Sequence, residues 1–435
     1  MIGNARLQVL LGRLLSVLPG LCCGELPAEE PPRGIEQADG LFAEGRFGEA
    51  AELCGARLTE VEDDYPAVLR LGEIALLANR LDEAERRLSK ARQLRPDEAR
   101  PMALLAEAYY RRDNFQAAEP LFRQIGRTAM ADKLASFKSL VPYQVASDLA
   151  ESHLDFALTD PLPVVRVRVN HGEEVFFLID TGGSELILDP AFAKQVGAER
   201  FGSETGTFAG GSTTSYEHGR VERVTLGAFE VRNVPVHLLD TTRLSRAAGG
   251  KPVKGILGTV LLYHFLPTID YRRGRLELRR LTDHSSRPVE AASEADGRIS
   301  VPFWLAGDHF IVARGSVNGG ESCLMLVDTG LAGNAFTCPE STLERAGIEL
   351  KGPSSEGVGG AGPVRVTPFL LKELSLGPAV RRHMPGVFGP FPASLEHGLG
   401  FRLGGLISHA FFRSYRVTFD FVRMSLNLEQ ARRGD

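Results

Sequence analysis

Two aspartates carry the strongest chemical signal in this sequence, because each stands in the same local context. Residues 176–184 read Phe-Phe-Leu-Ile-Asp-Thr-Gly-Gly-Ser, and residues 323–330 read Cys-Leu-Met-Leu-Val-Asp-Thr-Gly. In both, a short apolar run of strand-like length ends on Asp-Thr-Gly, at Asp180 and Asp328. One such turn after a strand is commonly only a turn. Two in matched contexts point to a pair of carboxylates working together. Like charges about 3 Å apart cannot both ionise, so such a pair holds one proton. The ionised member can take a proton from water while the protonated member donates to a substrate oxygen.

The elements that must position the two aspartates also occur twice. Val165, Val167 and Val169 alternate with Arg166 and Arg168, and Asn170-His171-Gly172 follows as a turn. The second unit runs from Phe310-Ile311-Val312 to Val317-Asn318-Gly319-Gly320. Asn170 and Asn318 are 148 residues apart, as are Asp180 and Asp328. Further on, Ile256-Leu257-Gly258 and Leu406-Ile407-Ser408 are 150 apart, and Thr268-Ile269-Asp270 matches Thr418-Phe419-Asp420 at the same offset. The change from 148 to 150 implies a short net insertion inside otherwise equal units. A glycine-rich hairpin candidate begins 29 residues past each aspartate, at Ala209-Gly210-Gly211-Ser212 and at Gly357-Val358-Gly359-Gly360. Residues 155–280 and 299–432 are read as the two units, with polar residues 281–298 as the linker.

These residues resemble the aspartic peptidases of the retropepsin and pepsin group. The resemblance rests on the doubled apolar-apolar-Asp-Thr-Gly, the glycine-rich hairpins and Ile256-Leu257-Gly258, and covers roughly residues 160–430. It implies two lobes about a twofold axis, with Asp180 and Asp328 facing each other as catalytic residues. Water between them attacks a peptide bond directly, with no covalent intermediate. By the same resemblance Thr181 and Thr329 hydrogen-bond across the lobe interface, Gly182 and Gly330 allow close backbone approach, and Ser184 supports the first loop. Gly210, Gly211, Gly359 and Gly360 belong to flaps closing over an extended peptide, and Tyr216 could contact that substrate. Pepsin-like sites carry a hydroxyl directly after Asp-Thr-Gly; here Gly183 and Leu331 stand there. A less acidic optimum than pepsin's is the expected result. Lobe 2 departs further, with Leu331-Ala332 and Ser408.

A period of 34 residues marks the region before the lobes. Ala50, Ala84 and Ala118 share it, as do Leu41, Ala75 and Tyr109, and Leu71-Gly72 with Leu105-Ala106. Leu88 and Phe122 match, with Cys54 as the first-repeat counterpart. The pattern resembles the tetratricopeptide repeat, two helices per repeat. Residues 35–140 are assigned to it, with 130–140 as a capping helix and Pro120 as a departure inside the last repeat. Two roles are open: a concave surface for a peptide or partner protein, or a brace on the catalytic unit.

The expected fold is therefore multidomain α and β: an N-terminal α-helical repeat solenoid, then an all-β two-lobed aspartic-peptidase fold. A net charge of −5 without a basic block argues against a nucleic-acid binder. Apolar residues 14–23 after Arg6 and Arg13 read as the core of a secretory signal over 1–24, so export is expected over a cytoplasmic location. No other stretch is long and apolar enough for a stable membrane span. No Cys/His spacing suggests a metal, and no cofactor is expected. Cys323 and Cys338 are read as buried small hydrophobes, with a disulfide between them as the lesser alternative. The function expected is an aspartic endopeptidase. The alternatives are an inactive peptidase-fold binding protein and a repeat scaffold.

Overall fold

The structure is a computed structural model that describes residues 33–208, 211–281, 298–359 and 362–430. The expected signal stretch, all but the ends of the linker, Gly210 and Gly360 lie outside the described residues. Seven helices come first: α1 (Arg33–Ala43), α2 (Phe47–Glu60), α3 (Tyr65–Leu77), α4 (Leu81–Leu94), α5 (Ala99–Arg111), α6 (Phe115–Gln124) and α7 (Thr128–Ala135). They form three antiparallel hairpins plus one helix, as the 34-residue period requires. Asp64 caps α3 by accepting from the Ala67 amide at 3.1 Å, with Pro66 just inside the helix. Gly72 marks the close approach within the second hairpin, where a Cβ would lie 2.7 Å from Leu88 Cδ2. Pro120 is accommodated within α6, which has 10 residues against 14 in α2 and in α4. The capping helix differs from the expected 130–140. It starts after left-handed Gly126 and stops where the Ser136 hydroxyl donates to the Lys133 carbonyl at 2.6 Å.

The repeats pack against lobe 2. Helix α3 is buried on nearly all sides from Ala67 to Leu77, whereas α2 and α4 each bury only three residues. A helix buried all round is covered on both faces. Ile74 and Leu77 of α3 pack in one cluster with Phe42, Phe47, Val312, Leu324, Leu326, Phe401 and Leu403, so lobe 2 fills the inner face of the stack. Polar contacts close the same seam: the Arg111 guanidinium donates to the carbonyls of Leu305 (2.9 Å) and Gly307, and Asn79 donates to the Phe421 carbonyl at 3.2 Å.

Lobe 1 is built on one eight-stranded sheet folded on itself, while the equivalent strands of lobe 2 continue into a 13-stranded sheet shared with lobe 1. In lobe 1 the strands run in the order Gln144–Val145, Phe229–Leu238, Leu186–Leu188, Val253–Leu257, Glu174–Ile179, Val164–Val169, Thr213–Leu226, Glu199–Thr207, and the sheet closes where Thr213–Leu226 pairs with Phe229–Leu238. Val165, Val167 and Val169 are buried and Arg166 and Arg168 exposed, as the alternation implies. Two strands at 144–155 precede the expected boundary at 155; Glu151–Asp155 pairs with Arg275–Arg280. Lobe 2 repeats the pattern. Asn170 and Asn318 take the same left-handed turn, and each side-chain amide donates to a carbonyl across its lobe, Val196 at 2.8 Å and Ala346 at 2.9 Å.

The lobes join through a six-stranded antiparallel sheet whose centre is the pairing of Phe265–Asp270 with Tyr415–Asp420. Thr268 faces Thr418 across this axis, with their hydroxyls 2.8 Å apart. The twofold relation that the resemblance implies is thus seen as a pairing between strands 150 residues apart. Cys323 and Cys338 are free thiols, Cys338 fully buried and Cys323 partly so. Burial pushes the Cys338 thiol up to about 12.

Candidate active site

Asp180 and Asp328 sit at the ends of equivalent strands, each held by the same local device. The Ile256-Leu257-Gly258 and Leu406-Ile407-Ser408 motifs run parallel to the aspartate strands: Ile179 pairs with Leu257, and Val327 with Ile407. The Asp180 amide donates to the Leu257 carbonyl at 3.1 Å, and the Asp328 amide to that of Ile407 at 3.0 Å. Each carboxylate then accepts from the glycine amide two residues on, Gly182 to Asp180 at 2.9 Å and Gly330 to Asp328 at 2.7 Å.

The two loops are locked together. The Thr181 hydroxyl donates to the Val327 carbonyl and accepts from the Thr329 amide; the Thr329 hydroxyl donates to the Ile179 carbonyl and accepts from the Thr181 amide, all at 3.0–3.1 Å. Both threonines are buried. The glycines face the opposite carboxylate: a Cβ on Gly182 would lie 2.4 Å from Asp328 Oδ2, and one on Gly330 2.5 Å from Asp180 Oδ1. Side chains at these positions would fill the space the carboxylates occupy.

Asp180 is half-buried. Burial first, then the Asp328 carboxylate in hydrogen-bonding contact, hold its pKa well above the ordinary range against the Gly182 and Gly183 amides. Among the described residues no side-chain hydroxyl donates to either carboxylate. The Ser184 hydroxyl turns away instead and meets His237 Nδ1 at 3.1 Å.

Both flap candidates are hairpins: Glu199–Thr207 with Thr213–Leu226, and Ser355–Gly359 with Gly362–Leu376. Gly211 is left-handed, and a Cβ there would lie 3.8 Å from Pro392 of lobe 2. Gly359 pairs with Gly362, where a Cβ would lie 3.1 Å from the Arg243 guanidinium of lobe 1. Each flap thus reaches the opposite lobe. The Tyr216 hydroxyl is committed to Glu204 at 3.2 Å and its ring packs on His218 and His237, in the support of the flap.

Residues 165–261 match the family of aspartyl proteases. That aspartyl protease domain contains Asp180, its flap and the Ile256-Leu257-Gly258 motif, and the internal twofold axis relates lobe 2 to it. Residues 41–100 and 79–139 match the tetratricopeptide repeat. No curated protein matches the chain. Among solved structures the chain is similar to conglutin gamma, a basic 7S globulin from lupine seeds, at 12% identity and a TM-score of 0.37, covering 65% of this chain and 95% of that one.

Several residues around the Asp180–Asp328 site escape sequence reasoning. Glu185, Lys133 and Tyr110 are buried together behind the Asp180 loop, with His218, His237 and Glu204 alongside. The one local signal is Lys133, which stands on the apolar Met130–Leu134 face of α7 where helical spacing calls for a core residue.

Proposed function

We propose that the chain is an aspartic endopeptidase, hydrolysing peptide bonds with a water activated between Asp180 and Asp328. The observation that carries this reading is the contact of two carboxylates held by reciprocal threonine bonds and opposed glycines. One proton is shared by the pair, and its placement belongs to the pair as a whole. The ionised carboxylate takes a proton from the water, and the protonated one donates to the scissile carbonyl oxygen. The hydroxyls of Thr181 and Thr329 and the amides of Gly182 and Gly330 fix the loops in advance, so little reorganisation is left for the reacting state. Substrate lies extended beneath the two flaps, bound by strand-like main-chain bonds. The repeats serve first as an intramolecular brace, leaving the outer faces of α2, α4 and α6 for a partner protein. An exported location follows from the apolar stretch near residue 20, and the N-terminal sequence of the mature chain tests it.

The central test is cleavage of casein from about pH 3 to pH 8, a range that brackets a carboxylate pair. Wild type is compared with Asp180→Asn and Asp328→Asn, with and without a statine-type inhibitor. Activity lost in both variants and with the inhibitor supports the reading. Cleavage that survives either substitution refutes it.

A further inference from the structure

The lobe 1 catalytic loop is backed by a carboxylate that has no counterpart in lobe 2. Glu185 is fully buried and directly precedes the strand Leu186–Leu188. Its carbonyl and that of Ser184 press on Gly258, where a Cβ would lie 2.3 Å and 2.4 Å from them. Among the described residues its carboxylate pairs with no lysine or arginine of lobe 1. Lys133 Nζ of α7, also fully buried, lies 2.5 Å from Glu185 Oε1, and the Tyr110 hydroxyl of α5 donates to the same oxygen. Glu185 Oε2 lies 3.5 Å from His237 Nε2, whose other nitrogen holds the Ser184 hydroxyl.

The twofold axis supplies an internal control. Ile187 pairs with Ile256 and Thr337 with Leu406, an offset of 150 in both partners. The Val260 amide donates to the Ser184 carbonyl, and the Ala410 amide to that of Asn334. Ala335, fully buried, therefore stands where Glu185 stands. The same fold thus builds this loop with an alanine when the backing is its own lobe, and with a glutamate when the backing is the repeat region. A buried carboxylate is tolerated only when paired and hydrogen-bonded. The same helix also reaches the flap: Arg127, its N-cap residue, lies 2.8 Å from Glu204 on the first flap strand.

We propose that Lys133 and Tyr110 of the helical repeat region are positioning residues for the lobe 1 catalytic loop, acting through Glu185. The inference rests on Asp180 being half of the catalytic pair. It makes the repeats part of the active-site construction, so that anything displacing α7 loosens the Asp180 loop and the base of the first flap together.

The test compares full-length wild type with Lys133→Met, Tyr110→Phe and Lys133→Met/Glu185→Gln, using amide hydrogen exchange and casein cleavage. In Lys133→Met, peptides covering 180–188 are expected to exchange faster while those covering 328–337 do not. The kcat is expected to fall about 10- to 100-fold, the scale of a misplaced catalytic group, with KM changed less than about threefold. Lys133→Met/Glu185→Gln is expected to recover most of both readouts, because no unpaired charge remains. Unchanged exchange at 180–188, or equal acceleration in both lobes, overturns the proposal. If Lys133→Met does not fold, Tyr110→Phe decides by the same comparison of loops. Exchange also decides if wild type cleaves nothing, so failure of the peptidase reading is seen separately.

Discussion

Thr181 and Thr329 each donate to a carbonyl on the opposite aspartate strand and each accept the other's amide, so the two Asp-Thr-Gly loops share four bonds related by the twofold axis. Thr329→Val keeps the shape but strands the Thr181 amide and the Ile179 carbonyl without partners. Leaving buried groups unpaired costs about 1–3 kcal/mol. Thr181→Val and Thr329→Val are expected to lose similar stability in urea unfolding and to cleave casein at least about 10-fold more slowly. A large loss in one and none in the other would show that the bonds do not act as a symmetric pair.

Gly182 and Gly330 leave room for the carboxylate of the opposite lobe. In Gly182→Ala the new methyl occupies the position of Asp328 Oδ2, at 2.4 Å. The pair must separate, and a displacement near 1 Å costs on the order of 100-fold in rate. Overpacking costs about 1–3 kcal/mol of stability. We expect kcat to collapse in Gly182→Ala while the thermal midpoint moves only modestly. Retained kcat would mean that the carboxylates need not be in contact.

The raised pKa of Asp180 makes stability depend on pH with a definite sign. Above the ordinary value of 3.8 and up to the raised one, the folded chain holds a proton that the unfolded chain has released. Stability from this group is therefore present at low pH and is lost as pH rises through the window. Asp180→Asn removes that loss. Its urea midpoint is expected to exceed that of wild type at pH 7, with the gap narrowing toward pH 4. Activity follows the same proton: the basic limb of the profile falls where the pair loses it. A gap that widens on acidification would contradict the coupling.

Gly45 ties the first repeat to lobe 2. It is left-handed at φ 74°, and a Cβ there would lie 2.4 Å from Leu324 Cδ1. Its carbonyl accepts from Arg314 at 2.7 Å. Gly45→Ala combines left-handed strain of about 1–2 kcal/mol with overpacking of about 1–3 kcal/mol. Calorimetry is expected to show a lower midpoint for the two β lobes as well as the repeats. A shift confined to a separate repeat transition would show that the brace is dispensable.

Much of this molecule is local, and that part was legible in the residues. The doubled Asp-Thr-Gly, the alternation at Val165–Val169, the Asn170 and Asn318 turns and the 34-residue period each follow from turn chemistry and periodicity within a few residues of chain. The 150-residue offset matched Thr268 with Thr418, but their meeting across the lobe interface is a fact of the tertiary structure. Tertiary structure decided the rest. It located the insertion behind the shift from 148 to 150 in the lobe 2 loop between Gly330 and Asn334, where pairing, not composition, sets the alignment. It filled the inner face of the repeats with lobe 2, because Ile74 and Leu77 look the same whether a helix buries them against a neighbour, a ligand or another domain. It turned Ser184 and Tyr216 toward His237. It also joined Lys133 to Glu185: a buried charge pair is defined by contact between distant segments, and a glutamate before a strand reads in sequence like any exposed one.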